Sequence, residues 1–198
     1  MNTRELISPE LQKELIEFTR DLVRIRSVSG HEEEVVRSIA ARMKALGYDE
    51  VTIDSMGNVV GRIGHGSETL LFDSHIDTVA VNDEAEWDVP PFSGEIVDGR
   101  LYGRGSVDMK SGAAASVYAG AIAKQLGLTA GRTLYVSCSV FEEDCDGENL
   151  KNEFKELKIQ PDAVVICEPS NNIITLGHKG KAQITIQTHG VSAHGSAP

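Results

Sequence analysis

Three apolar runs, each long enough for a buried strand, constrain the fold of this chain more than any other feature. They are "TLLF" (69–72), "LYVSCSVF" (134–141) and "AVVIC" (163–167), and helical patterns separate them. Strands that are apolar almost throughout occur where helices cover both faces of a parallel or mixed sheet. The sequence therefore predicts an α/β fold, with a mixed, mainly parallel sheet between two layers of helices.

Two helices are predicted before the first of these strands. Ser8 and Pro9 have the residue types of an N-cap and a first helical position. Ser29 and Glu32 have the spacing of a capping box for the second helix, and Gly47 ends it. The other predicted elements are strands at "VTID", "NVVGRIG" and "ETLLFDSH", a hairpin about Asp98-Gly99, and helices at about 109–126 and 147–157.

Composition restricts the partners. The net charge is -11, from 19 basic and 30 acidic residues without a basic run, which argues against nucleic acid and anionic membranes. The longest apolar-leaning segment, 112–123, is too short to span a bilayer, and the N-terminus lacks a signal-peptide core. We therefore expect a soluble, cytoplasmic protein. Its three cysteines lack CxxC spacing, so neither a disulfide framework nor a thiolate zinc site is indicated.

Ionisable residues follow each apolar run. Asp73, His75 and Asp77 follow the first run, Glu142 and Glu143 the second, and Glu168 the third, while Asp108 precedes the helix predicted from about 109. The carboxyl ends of strands in such sheets are where ligands bind. Several carboxylates in one crevice would repel one another unless a cation neutralised them. Each group alone is a common polar strand end, N-cap or solvated turn, but together they favour a metal site.

The residue types indicate which chemistry the metal would serve. His75 and Asp77 are two apart, so both point to one face of a strand, and Asp77 can accept one imidazole N–H while the other nitrogen binds metal. Oxygen-rich ligation with imidazole suits zinc, cobalt or manganese. Adjacent Glu142 and Glu143 should point in different directions, so one can bind the metal while the other takes a proton from an activated water. This pattern is typical of a metallohydrolase.

Five motifs in chain order resemble those of the two-zinc amidohydrolase and exopeptidase family, which includes acetylornithine deacetylase, succinyl-diaminopimelate desuccinylase, aminoacylase and the glutamate carboxypeptidases. The motifs are "SHIDTV" (74–79), "GRGSVDMKSG" (103–112), "FEEDCDG" (141–147), "ICEPS" (166–170) and "GVSAHGSAP" (190–198). The third is most similar to an uncharacterised, selenium-metabolism-linked hydrolase branch. The resemblance implies a zinc exopeptidase-like catalytic domain.

The resemblance also implies a role for each motif residue. By this resemblance, His75 and Glu168 bind one zinc, Glu143 binds a second zinc, and Asp108 bridges the two. Glu142 is the general acid/base, and Asp77 orients His75. His194 crosses a homodimer interface to polarise the scissile carbonyl in the partner's site. The implied reaction is attack of a zinc-bound hydroxide on an amide of an N-acyl amino acid or short peptide, a deacylase or metallopeptidase activity. Glu142 would shuttle the proton to the leaving amine.

Members of that family are about twice as long as this chain. By resemblance, residues 1–178 are the N-terminal portion of the catalytic domain and 179–198 begin an inserted α+β lid or dimerisation domain. The histidine that closes the second zinc site is missing, so we expect a first site that is complete and a second that is not. The predicted strand "AQITIQT" would expose an edge and promote association between chains.

Other functions fit the sequence poorly. Asp108 stands where a dinucleotide fingerprint needs its third glycine, and Val35 replaces the second histidine of an HExxH motif. There is no GxSxG elbow for a serine nucleophile. The alternative from another class is a non-catalytic metal-binding fragment or module. Glu142 argues against it, because a binding module does not need a proton-transfer carboxylate beside a ligand.

Overall fold

The computed structural model describes residues 7–145, 147–177, 179, 180, 182, 184–187, 189, 190 and 196. Its helices and strands follow the predicted order, with an additional short helix at Glu142–Cys145. They are α1 (Pro9–Arg24), α2 (Glu33–Ala45), β1 (Glu50–Ile53), β2 (Val59–Gly64), β3 (Glu68–His75), β4 (Ile96–Val97), β5 (Arg100–Leu101), α3 (Lys110–Gln125), β6 (Arg132–Ser139), α4 (Glu142–Cys145), α5 (Glu148–Leu157) and β7 (Ala163–Ile166), with a 3-10 turn at Glu84–Glu86.

Five strands form one sheet in the order β1-β2-β6-β3-β7. Strand β3 pairs in parallel with both β6 and β7, whereas β2 is antiparallel to both β1 and β6. Four strands therefore run in one direction and β2 runs against them. The predicted mixed, mainly parallel sheet is confirmed.

Helices cover both faces of this sheet. Helices α1, α2 and α3 pack on one face, where Leu22, Ile39, Val117 and Val136 are buried in the main core. Helix α5 packs on the other face, where Phe154 contacts a smaller cluster of Val60, Leu71 and Ile159. Val59 and Val60 are adjacent on β2 and enter different cores, as strand alternation requires.

Local signals were correct at one helix start and at the hairpin. Ser8 Oγ accepts the N–H of Leu11 at 3.2 Å, and Pro9 is the first residue of α1. Asp98 and Gly99 have φ values of 49° and 74°, the left-handed pair that a two-residue hairpin loop needs.

The predicted capping box at the start of α2 is wrong. Glu32 is the N-cap residue, but its side chain makes no capping bond to the helix. Ser29 Oγ instead donates to Asp77 Oδ2 at 2.6 Å. Buried Asp77 needs donors for its carboxylate, and this long-range requirement outweighs the local cap.

The C-terminal segment differs from expectation. Residues 182 and 184–187 belong to no strand, and Ile184 and Ile186 are 82% and 84% exposed. The "AQITIQT" strand is therefore not found among the residues that the structure describes, and the domain boundary at 178/179 remains a prediction. Over the same described residues, none of the helices has the length and apolar character required to cross a bilayer.

Candidate metal centre

Parallel pairing brings three strand ends to one edge of the sheet. Strand β3 ends at His75, and Glu168 follows β7 by two residues. The turn after β6, which we take as residues 140–143 and which includes the start of α4, carries Glu142 and Glu143. Asp108 enters from the loop before α3, where the Asp108–Met109 peptide is cis. Six of the predicted site residues thus lie at this edge, including Asp77. The seventh, His194, lies outside the described residues.

His75 is the centre of the cluster and is only 3% exposed. Its Nε2 lies 2.9 Å from Asp108 Oδ1 and 3.6 Å from Glu168 Oε1. Two overlapping groups have potential ligand atoms within 4.8 Å of one another: His75 with Asp108 and Glu143, and His75 with Glu142 and Glu168. The geometry therefore offers one imidazole and four carboxylates to cations at this edge.

Asp77 faces the other side of the imidazole. His75 Nδ1 lies 3.1 Å from the backbone oxygen of Asp77 and 3.4 Å from its Oδ1. A proton on Nδ1 is held by these oxygens, which leaves Nε2 to bind a metal. This arrangement is the one expected of an orienting aspartate.

The Asp77 carboxylate also holds the turn after β6. Its Oδ1 accepts the backbone N–H of Glu142 at 3.0 Å, and its Oδ2 accepts that of Glu143 at 3.2 Å. Burial opposes ionisation of Asp77, but bonds from His75, Ser29 and these two N–H groups outweigh burial and lower its pKa. Asp77 is thus a buried anion that links the strand end to the turn.

The charges at this edge call for a cation. Burial opposes protonation of His75, but Asp77, Glu168 and Asp108 outweigh it and raise the pKa of His75 to about 10. Burial raises the pKa of Glu168 to about 7. The charges of Asp108 and Glu142 also raise this pKa, whereas the charge of His75 lowers it. Burial and then the Asp108 charge raise the pKa of Glu143. A divalent cation would offset this repulsion, so the residues present fit a metal centre.

Lys110 fixes the loop that carries Asp108, a role that the sequence did not suggest. Its side chain is fully buried, and its Nζ donates to the backbone oxygens of Leu22 at 2.9 Å and Ile25 at 2.6 Å. Burial lowers the pKa of Lys110 to about 8. The ammonium group thereby ties the start of α3 to the last carbonyls of α1.

An open cleft of about 560 Å³ is lined by residues that are close in sequence to those of the candidate site. It is lined in part by Ala80, which follows Asp77 by three residues, and by Arg104, which precedes Asp108 by four. The Arg104 guanidinium lies 5.2 Å from the centre of the Trp87 ring. Trp87 and Arg104 therefore both line this cleft.

The model of Peptidase family M20/M25/M40 matches residues 71–195, which is more than half of the chain. The chain belongs to this family. The matched segment begins in β3 and includes all seven residues predicted to form the site.

Curated relatives agree with the family assignment. An uncharacterized protein, YgeY of Escherichia coli (strain K12), is 43% identical and is aligned over 96% of this chain and 47% of its own length. A probable succinyl-diaminopimelate desuccinylase of Staphylococcus epidermidis is 31% identical over 94% of this chain and 47% of its own length. The chain therefore spans about half the length of the curated relatives it matches.

Solved structures agree with the fold. The M20 family metallo-carboxypeptidase Sso-CP2 of Sulfolobus solfataricus superposes with a TM-score of 0.65, at 24% identity, over 81% of this chain and 37% of that one. The YXEP protein of Bacillus subtilis, described as a dinuclear metal binding peptidase from the M20 family, gives a TM-score of 0.58 at 18% identity, over 78% of this chain and 42% of that one.

Proposed function

We propose that this protein is a metal-dependent hydrolase that cleaves the amide bond of N-acyl amino acids or short peptides. The observation that carries the proposal is the convergence of buried His75 with Asp108, Glu143, Glu142 and Glu168 at one sheet edge. Membership of the M20/M25/M40 peptidase family supports an amide-cleaving reaction. The name of the desuccinylase relative supports an N-acyl substrate.

We further propose zinc as the metal, with two ions in the complete protein and cobalt or manganese as possible substitutes. His75 and Glu168 would hold one ion, Glu143 the other, and Asp108 would bridge them. A mixed imidazole and carboxylate donor set suits these metals. The dinuclear metal named for the YXEP structure supports a pair of ions.

The proposed reaction needs a proton carrier beside the metal, and we assign this role to Glu142. When bound, the metal supplies Lewis-acid chemistry, lowering the pKa of water and polarising the amide carbonyl. Glu142 then takes the proton of the attacking water and delivers it to the leaving amine. Asp77 faces the His75 ring with its backbone oxygen and its carboxylate, and the carboxylate accepts the backbone N–H of Glu142, so one residue orients both the ligand and the proton carrier.

We propose that the complete protein is a cytoplasmic homodimer in which His194 reaches the partner's site. The similarity of "GVSAHGSAP" to the family motif supports this assignment. Removing the imidazole by His194→Ala should lower kcat in the complete dimer without changing the bound metal. Mixed dimers carrying His194→Ala and Glu142→Gln on different chains should regain activity at one of their two sites.

The direct test compares Glu142→Gln with wild type for bound metal and for hydrolysis of a panel of N-acyl amino acids and dipeptides. Loss of hydrolysis with unchanged metal content supports the proposal. Glu148→Gln, at an exposed position where α5 begins, is the matched control and should keep full activity. A wild type that binds metal yet hydrolyses nothing in the complete protein supports the second candidate, a non-catalytic metal-binding module.

A further inference from the structure

Four consecutive backbone N–H groups in the turn after β6 donate to side-chain oxygens from distant parts of the chain. Val140 N–H donates to Asn58 Oδ1 at 2.9 Å, Phe141 N–H to Glu32 Oε1 at 3.0 Å, Glu142 N–H to Asp77 Oδ1 at 3.0 Å and Glu143 N–H to Asp77 Oδ2 at 3.2 Å. Side chains from other parts of the chain therefore hold the turn that carries the proposed acid/base and one proposed ligand.

The local sequence does not favour this turn. Phe141 has a φ of 59°, a left-handed conformation that a bulky side chain rarely adopts. Helix α4, which follows at once, leaves its first N–H groups without helical partners. The conformation thus depends on the acceptors supplied by Asn58, Glu32 and Asp77.

Glu32 is well placed to control the strained residue. It is buried at 7% exposure, and its Oε1 accepts the N–H of Gly30 at 3.0 Å as well as that of Phe141. The ring of Phe141 lies beside Gly30, so the 29–32 loop contacts both the backbone and the side chain of the strained residue. Ser29 in the same loop donates to Asp77.

We propose that Glu32 is a positioning residue, which holds Phe141 in its left-handed conformation and so sets the directions of Glu142 and Glu143. The expected effect of Glu32 on metal binding rests on the proposed function. The expected effect of Glu32 on the conformation of Phe141 rests only on the hydrogen bond between these two residues. Glutamine at position 32 keeps the accepting oxygen, whereas alanine leaves the Gly30 and Phe141 N–H groups without it.

The first test is amide hydrogen exchange by mass spectrometry on the metal-free chain. Glu32→Ala should speed exchange in residues 140–143 by about tenfold or more, while exchange in β3 and β6 stays at the wild-type rate. Glu32→Gln should exchange like wild type. Glu33→Ala is the matched control, because Glu33 is the next residue, is exposed and pairs only with Arg37 among the described residues. Should Glu32→Ala fail to fold, Glu32→Asp, whose shorter side chain falls short of Phe141, takes its place.

The second test follows cobalt binding by visible absorption. Glu32→Ala should weaken cobalt binding by about tenfold, and Glu32→Gln should restore it. Unchanged exchange in 140–143 would overturn the positioning role, as would a uniform rise across the whole chain, which marks a purely structural residue. Faster exchange confined to 140–143 with unchanged cobalt binding would uphold the positioning role and count against the proposed function of the turn.

Discussion

Asp77 Oδ1 accepts the backbone N–H of Glu142 at 3.0 Å, across 65 residues of sequence. The same carboxylate faces His75 Nδ1. The imidazole proposed to bind metal and the carboxylate proposed to move protons are therefore oriented by one buried anion. Any change at Asp77 alters both.

Replacing Asp77 with alanine should destabilise the metal-free protein by about 2–4 kcal/mol, because a fully buried carboxylate and its hydrogen bonds are lost. Urea unfolding measures this change. Asp98→Asn is the control, since Asp98 is exposed in the hairpin and asparagine accepts its left-handed φ. If Asp77→Ala lowers the free energy of unfolding no more than Asp98→Asn does, the hydrogen bonds of Asp77 contribute little to stability.

Metal binding should release protons. In the metal-free protein the pKa of His75 is raised to about 10, so the ring is protonated at pH 8 and must lose about one proton when Nε2 binds metal. Affinity should therefore rise with pH up to about 10. Calorimetric titration at pH 8 in two buffers of different ionisation enthalpy counts the protons released. Zero release would mean that His75 is already neutral or does not bind the metal.

Glu153 should make stability fall as pH rises. It is fully buried on α5. Ser137 Oγ of β6 donates to it at 2.6 Å, and burial raises its pKa from 4.5 to about 8. Between these pH values the folded chain keeps a proton that the unfolded chain loses, so the free energy of unfolding decreases with pH.

Glu153→Gln should remove this dependence. Relative to the variant, wild type should lose about 2–4 kcal/mol between pH 5 and pH 8 in urea unfolding. Glu148→Gln, exposed on the same helix, should keep the wild-type profile. A constant difference between wild type and Glu153→Gln would place the pKa of Glu153 outside this range.

Lys110→Met should cost about 1–3 kcal/mol, because methionine fills similar space but leaves the carbonyls of Leu22 and Ile25 without their donor. It should also weaken metal binding through the loop of Asp108. Lys124→Met, near the other end of α3, is the control for stability, and it should leave metal binding unchanged. Equal metal affinity in both variants would mean that Lys110 supports the fold alone.

Strand β7 should promote association between chains. It is an edge strand, and Val164, Val165 and Ile166 are 42%, 42% and 58% exposed. Sedimentation should show concentration-dependent association that Val165→Lys reduces. Leu128→Lys adds the same charge at an exposed site outside the sheet and should change association less. Monomers at high concentration in wild type would contradict this prediction.

Sequence patterns predicted which ionisable residues lie together at this edge of the sheet, because their positions follow from strand geometry. His75, the Glu142–Glu143 turn and Glu168 each stand just after an apolar run, and parallel pairing brings such ends together. Asp108 was assigned to the site because it directly precedes a predicted helix, which corresponds to α3 in the structure. These inferences used only the spacing of apolar residues, the length of each apolar run and the types of the residues that follow it.

The supporting residues could not be found in this way. Ser29 and Glu32 have capping-box spacing, yet their acceptor and donor partners include Asp77, 48 residues away, and Phe141, 109 residues away. Asn58 carries no motif, although its Oδ1 accepts the N–H of Val140. The buried state of Lys110 likewise depends on where α1 ends. Such partners are set by tertiary contacts, which local sequence patterns do not encode.

The contacts of the turn after β6 also bear on when the centre can assemble. Its acceptors lie 65 to 109 residues away along the chain, so the turn cannot take its shape until α2, β2 and β3 have docked. Contacts so distant in sequence are costly to close and form late in folding. An ion held there would bind the native chain alone, so its occupancy would report directly on the fraction of molecules that have completed folding.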